Sequence, residues 1–140
     1  MEKLLWKRSA KLADCSLKDI IEDSTGKSLP SDYVNCAVKN NKGRPSLRMF
    51  ITQKGVKRIM NNLLSLNKED GENVFEVYQH LTTETGREDI IPFARDSFGN
   101  YICFDYSGIL PTIVFWEHET NSFDTVATTF TDFINMLSET

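Results

Sequence analysis

Four carboxylates are the first candidates for chemistry. Glu117 and Glu119 lie two residues apart, the period that puts both side chains on one face of a strand. Asp96 and Asp105 bracket a run of turn and strand residues. Paired carboxylates can divide general acid and general base roles between them. The simpler reading is a set of solvated strand ends and turns, with Asp105 also placed to cap a turn. From there the four side chains can reach a partner.

Other reactive groups form no constellation. Cys15, Cys36 and Cys103 are odd in number, far apart and without a CxxC pair, so they read as three reduced thiols. His80 and His118 are the only histidines, and with no clustered cysteines they supply no zinc ligand set. Gly26-Lys27-Ser28 matches the end of a phosphate-binding loop. Ile21 stands where that loop needs its first glycine, and no apolar strand leads into it. No G-x-S-x-G elbow occurs. The expectation is a protein without catalytic residues, cofactor or metal.

Charge is divided along the chain. Residues 1–60 hold thirteen Lys/Arg and six Asp/Glu, a net of +7; residues 61–140 hold three and fourteen, a net of −11. If the two halves occupy different surfaces, the resulting field steers a charged partner. If they interleave, the charges form weak surface pairs. The overall net of −4 and the absence of a binding motif argue against nucleic acid. The longest apolar run, Ile113–Trp116, is far short of a membrane span. Lys7 and Arg8 interrupt any signal-peptide core, so the expected location is the cytoplasm.

These residues need a frame. The length of 140 residues fits one domain over residues 1–140. Residues 1–15 allow an N-terminal helical extension, a short basic amphipathic helix over 2–13. Ser16 can cap a helix with Leu17, Ile20 and Ile21 inward, ending at Gly26. Ser31 can cap a second, with Tyr33, Cys36 and Ala37 inward, stopping in the Asn40–Gly43 turn. Residues 46–52 alternate like a strand, Leu47, Met49 and Ile51 against Ser46, Arg48 and Thr52, with Phe50 on the second face. Residues 56–66 fit both a helix and a twisted strand. Asn73 caps a helix through Val74, Val77, Tyr78 and Leu81. Strands follow at Ile90–Ala94, Tyr101–Asp105 and Thr112–Glu117, antiparallel because their connections are short. Val126-Ala127 is a short extended piece. Thr129 then caps a last helix whose Phe130, Phe133, Ile134 and Leu137 must cover an apolar face of the sheet.

Several stretches in order carry a resemblance. They are Leu29-Pro30-Ser31-Asp32-Tyr33 leading to Asn40-Asn41-Lys42-Gly43, then Ile91-Pro92-Phe93-Ala94-Arg95-Asp96 with Gly99-Asn100, then Cys103-Phe104-Asp105, and finally Val126-Ala127-Thr128-Thr129-Phe130-Thr131-Asp132-Phe133. Over residues 16–138 the chain resembles the SUKH superfamily, the Smi/Knr-like group. It departs where the Asn-Gly turn is spread over Asn40–Gly43 and Arg44-Pro45-Ser46 follows.

The resemblance implies an α+β single domain with a curved, mainly antiparallel sheet and flanking helices. It implies a non-enzymatic, protein-binding role: a bacterial immunity protein that neutralises a cognate polymorphic toxin, often a nuclease, by occlusion. The alternative it implies is a regulatory or scaffold module binding an endogenous protein. For a nuclease toxin with a basic groove, the acidic half is the expected contact surface, with Asp96, Asp105, Glu117 and Glu119 as its candidates.

Overall fold

A computed structural model describes residues 4–10, 12 and 16–140. Apolar spacing sets the first two helices. Leu17 and Ile21 are buried on one face of α1 (Ser16–Thr25), while Ile20 points outward. Gly26, at φ +68°, ends it, its N–H bonded to the Glu22 carbonyl. In α2 (Ser31–Lys39), Tyr33 and Ala37 are buried and Cys36 half-buried. Pro30, not Ser31, takes the N-cap position, and no side chain caps this helix. Asp32 instead reaches across to Thr131, accepting from its N–H at 3.0 Å and its hydroxyl at 2.7 Å.

The helix expected over residues 2–13 is not what Trp6 and Lys7 form. They are β1 (Trp6–Lys7), antiparallel to β2 (Arg44–Pro45). Residues 1–3, 11 and 13–15 of that stretch, Cys15 among them, lie outside the described residues. Gly43 is the residue that lets the two segments meet. A Cβ there would lie 2.8 Å from both the Asn40 carbonyl and Ser9 Oγ, and 3.1 Å from the Trp6 ring.

Residues 56–66 are extended. β3 (Met49–Ile51) and β4 (Lys57–Ile59) make a hairpin, and β5 (Asn62–Leu63) joins the main sheet. Partner strands decide this, because the Met60, Asn61 and Leu64 N–H groups bond to the carbonyls of Arg48, Arg95 and Phe93. On β3 the buried side chain is Phe50, and Ile51 faces outward.

α3 (Val74–Thr85) begins where Asn73 accepts from the Glu76 N–H at 2.9 Å and ends at Gly86. The antiparallel meander follows as β6 (Ile90–Arg95), β7 (Tyr101–Asp105), β8 (Thr112–Glu117) and β9 (Ser122–Ala127), in the order β5-β6-β7-β8-β9. β9 is longer than the two residues expected. Its polar positions pair in register with β8, Ser122 with Glu117 and Asp124 with Phe115. α4 (Phe130–Met136) is capped by Thr129, which accepts from the Asp132 N–H.

Both faces of the sheet are covered. Register puts Cys103, Val114 and Trp116 on the side of α3, where His80 meets the Trp116 ring edge-on. Ile102, Phe104, Ile113 and Phe115 face the other way, under α2, α4 and the β3–β4 hairpin. An aromatic cluster fills that side. Phe93 stacks on Phe104 at 4.5 Å, Tyr33 meets Phe104 and Phe130 edge-on, and Phe50 meets Phe133 at 5.2 Å. The fold is α+β, as expected.

A candidate partner-binding cleft at one end of the sheet

The β6–β7 turn is built around Asp96. One carboxylate oxygen accepts from the N–H groups of Phe98 (2.8 Å) and Asn100 (3.0 Å), and the other from the Asn100 amide (2.8 Å). Asp96 is only 3% exposed, so its side chain shapes the turn and is withdrawn from the surface. Asn100 passes the order on, because its side-chain oxygen accepts from the His118 N–H at 2.9 Å. Gly99, at φ +87°, closes the turn, where a Cβ would lie 3.4 Å from the His118 ring. Two turns at one end of the sheet are thereby locked together.

Phe98 projects from this lock, 77% exposed. With Arg58, Asn100, Glu117, His118 and Glu119 it lines an open cleft of about 230 Å³. Arg58 lies on the floor. Its guanidinium stands 4.4 Å over the Phe115 ring and 3.6 Å from a Glu117 oxygen. Its Nε has no hydrogen-bond partner among the described residues. The Glu117 carboxylate also accepts from the Thr120 hydroxyl, and Glu119 is exposed at the rim.

The structure therefore gathers two of the four candidate carboxylates, Glu117 and Glu119, while Asp96 is buried in the turn joined to theirs through Asn100. Asp105 stands apart, at the far end of β7, roughly 13 Å away along the strand. It accepts from the Arg87 guanidinium at 2.8 Å and the Ser107 N–H at 2.9 Å, and Arg87 also bridges to Asp89. Burial pushes the Asp105 carboxyl up, but the hydrogen bonds from Ser107 and Arg87 outweigh it and hold it below the ordinary aspartate range. Asp105 thus caps a turn and anchors an ion pair. At that same end Ile109 is fully exposed at 102%, beside an apolar groove of about 180 Å³ that includes Phe104, Leu110, Pro111 and Phe130.

Phe98 and Arg58 are not among the candidate residues that the sequence singles out. Phe98 carried a signal, since an aromatic inside Asp96-Ser97-Phe98-Gly99-Asn100 has no core-facing period to obey. Arg58 carried none, because only the packing of the β3–β4 hairpin brings it to β8.

The remaining reactive groups do not converge. Cys36 and Cys103 are free thiols; burial raises both, Cys103 well above the ordinary thiol value, which suppresses the nucleophilic thiolate. Gly26-Lys27 forms a helix-end turn, with the Lys27 N–H on Thr25 Oγ1. Among the described residues no group of three His, Cys, Asp or Glu is placed to hold a metal ion, and no helix is long and apolar enough to cross a membrane.

A family model described as SMI1-KNR4 cell-wall matches residues 18–134. No curated protein matches the chain. The match spans most of the sequence and takes in most of α1, all of α2, the whole meander and most of α4. The chain belongs to the SMI1-KNR4 cell-wall family of the SUKH superfamily.

Proposed function

We propose that this chain is an immunity protein that binds a cognate toxin, often a nuclease in this superfamily, and neutralises it by occlusion. It works in the cytoplasm and performs no catalysis of its own. The observation that carries the reading is the pairing of an exposed aromatic with acidic neighbours: Phe98 stands at a cleft rimmed by Glu117 and Glu119. An aromatic anchor in a charged rim suits a basic groove that ordinarily holds nucleic acid. The network through Asp96 and Asn100 orders the turn before binding, which lowers the entropy lost on association. Glu117 and Glu119 act chiefly on encounter, and Phe98 on residence time.

The test is co-expression with the toxin domain encoded in the same gene neighbourhood. Growth is restored by the wild-type chain. Phe98→Ala weakens the purified complex by roughly 30-fold, the loss of about 2 kcal/mol expected at a hot spot. Glu119→Lys slows association, and the effect shrinks as salt rises. Undiminished killing, or binding that survives both changes, refutes the proposal and turns attention to an endogenous partner of a regulatory module.

A further inference from the structure

The acidic cleft is not the molecule's one charged feature. Beyond β5, the β1–β2 ladder sets Lys7 directly opposite Arg44. Like charges facing each other across a strand pair are destabilising. Arg8 follows at φ +58°, a conformation non-glycine residues seldom adopt. Two arginines beside it are pre-oriented. The Arg44 guanidinium donates through Nε to the Asn61 carbonyl (3.2 Å) and through Nη2 to the Asn61 side chain. Arg48 donates through Nε to the carbonyl of the preceding residue, Met60, at 2.9 Å. Both are held by their inner edges. Arg44 Nη1 and both Nη atoms of Arg48 have no acceptor among the described residues.

Among the described residues the arginines fall into two sets, with and without a carboxylate partner. Arg58, Arg87 and Arg95 each lie within 3.6 Å of a carboxylate. Among the described residues no carboxylate lies within ion-pair distance of Lys7, Arg8, Arg44 or Arg48. Burial, and then the charges of Arg48 and Arg8, lower the Arg44 pKa, as expected for cations crowded together. Among the described residues nothing offsets this repulsion, and an incoming anion would relieve it.

The shape of the patch selects the anion. It is one short ladder wide, with Leu5 exposed and Trp6 half-buried alongside. The loop that carries Glu69, Asp70 and Glu72 is tied close by. Ser65 Oγ accepts from the Asn41 amide and donates to Asp70, and Asn41 is two residues before Gly43. A long polyanion tracking across the surface would meet those acids. A short carboxylate-bearing segment with an apolar residue would not. We propose that Lys7, Arg8, Arg44 and Arg48 form a docking site for a short acidic segment of a protein partner, independent of the cleft at Glu117 and Glu119.

The experiment uses the full chain and a fluorescent peptide of aspartates and glutamates around one leucine, with binding read by anisotropy. The peptide binds at low ionic strength and weakens as salt rises. Replacing Lys7→Glu and Arg8→Glu, both exposed, weakens binding at least about tenfold, because each reversal removes one attraction and adds one repulsion. The charge-matched pair Lys54→Glu and Lys57→Glu, on the exposed tip of the β3–β4 hairpin, leaves it within about twofold. Unchanged circular dichroism shows that the variants fold. Amide shift changes on titration localise to residues 5–8 and 44–48. Binding no tighter than to the matching Asn/Gln peptide, or unaffected by Lys7→Glu and Arg8→Glu, overturns the proposal. So does tighter binding of single-stranded DNA of equal charge, which would make the patch a nucleic-acid surface.

Discussion

Replacing Phe133 with alanine tests whether the last helix closes the core. Phe133 is fully buried, at 0% exposure, with its ring 5.2 Å from Phe50 and 5.7 Å from Phe93, edge-on to both. Truncating a buried phenylalanine costs about 3–5 kcal/mol through lost transfer energy and the cavity left behind. The upper part of that range applies here. The ring sits between an element of the hairpin and an element of the sheet, and neither can collapse into the gap without breaking its own strand pairing. Against a total of about 5–15 kcal/mol for a domain, this is a large fraction. With a urea slope of about 2 kcal/mol/M, a loss of about 4 kcal/mol lowers the midpoint by about 2 M. Equilibrium unfolding followed by tryptophan fluorescence reads the shift, since Trp116 is buried in the same sheet. Ile109→Ala, at a fully exposed position, is the control and should change stability by less than about 0.5 kcal/mol. A Phe133→Ala midpoint within about 0.5 M of wild type at unchanged slope would refute the claim that α4 seals the aromatic cluster.

Asp105→Asn should destabilise the protein at neutral pH by about 1.5–3 kcal/mol, because its carboxylate, 14% exposed, accepts from both Arg87 and Ser107. Its pKa in the folded protein lies below the ordinary aspartate value of about 3.9, so its contribution is complete above that value. It is lost as pH falls through the depressed folded value. Acid titration of both proteins checks the sign: the stability gap should narrow as pH falls below the ordinary aspartate value, and a gap that widens on acidification contradicts the assignment. Cys103 should resist a thiol reagent in the native state and react on unfolding, since it is wholly buried and its thiol is pushed well up. Fast native labelling of Cys103, located by mass spectrometry, would show that β7 opens to solvent.

Elements with local signals were legible from residue order alone. Asn73 and Gly86 mark the two ends of α3 through a side-chain cap and a left-handed C-cap, both properties of a few adjacent residues. The β6–β8 meander was legible because apolar runs alternate with an Asp96–Asn100 turn too short for anything but antiparallel pairing. Thr129 with Phe130 and Phe133 announced α4 in the same way. Features that depend on distant partners emerged only from packing. Residues 56–66 became strands because Arg48, Phe93 and Arg95 offered them carbonyls. Trp6 and Lys7 became a strand because Gly43 lets β2 approach. The burial of Phe50 in place of Ile51 follows from where the hairpin packs on β8. The charges divided for the same reason. Glu117 and Asp96 share one end of the sheet while Asp105 lies at the other, because strand register, set by pairing across the whole sheet, fixes where each side chain emerges.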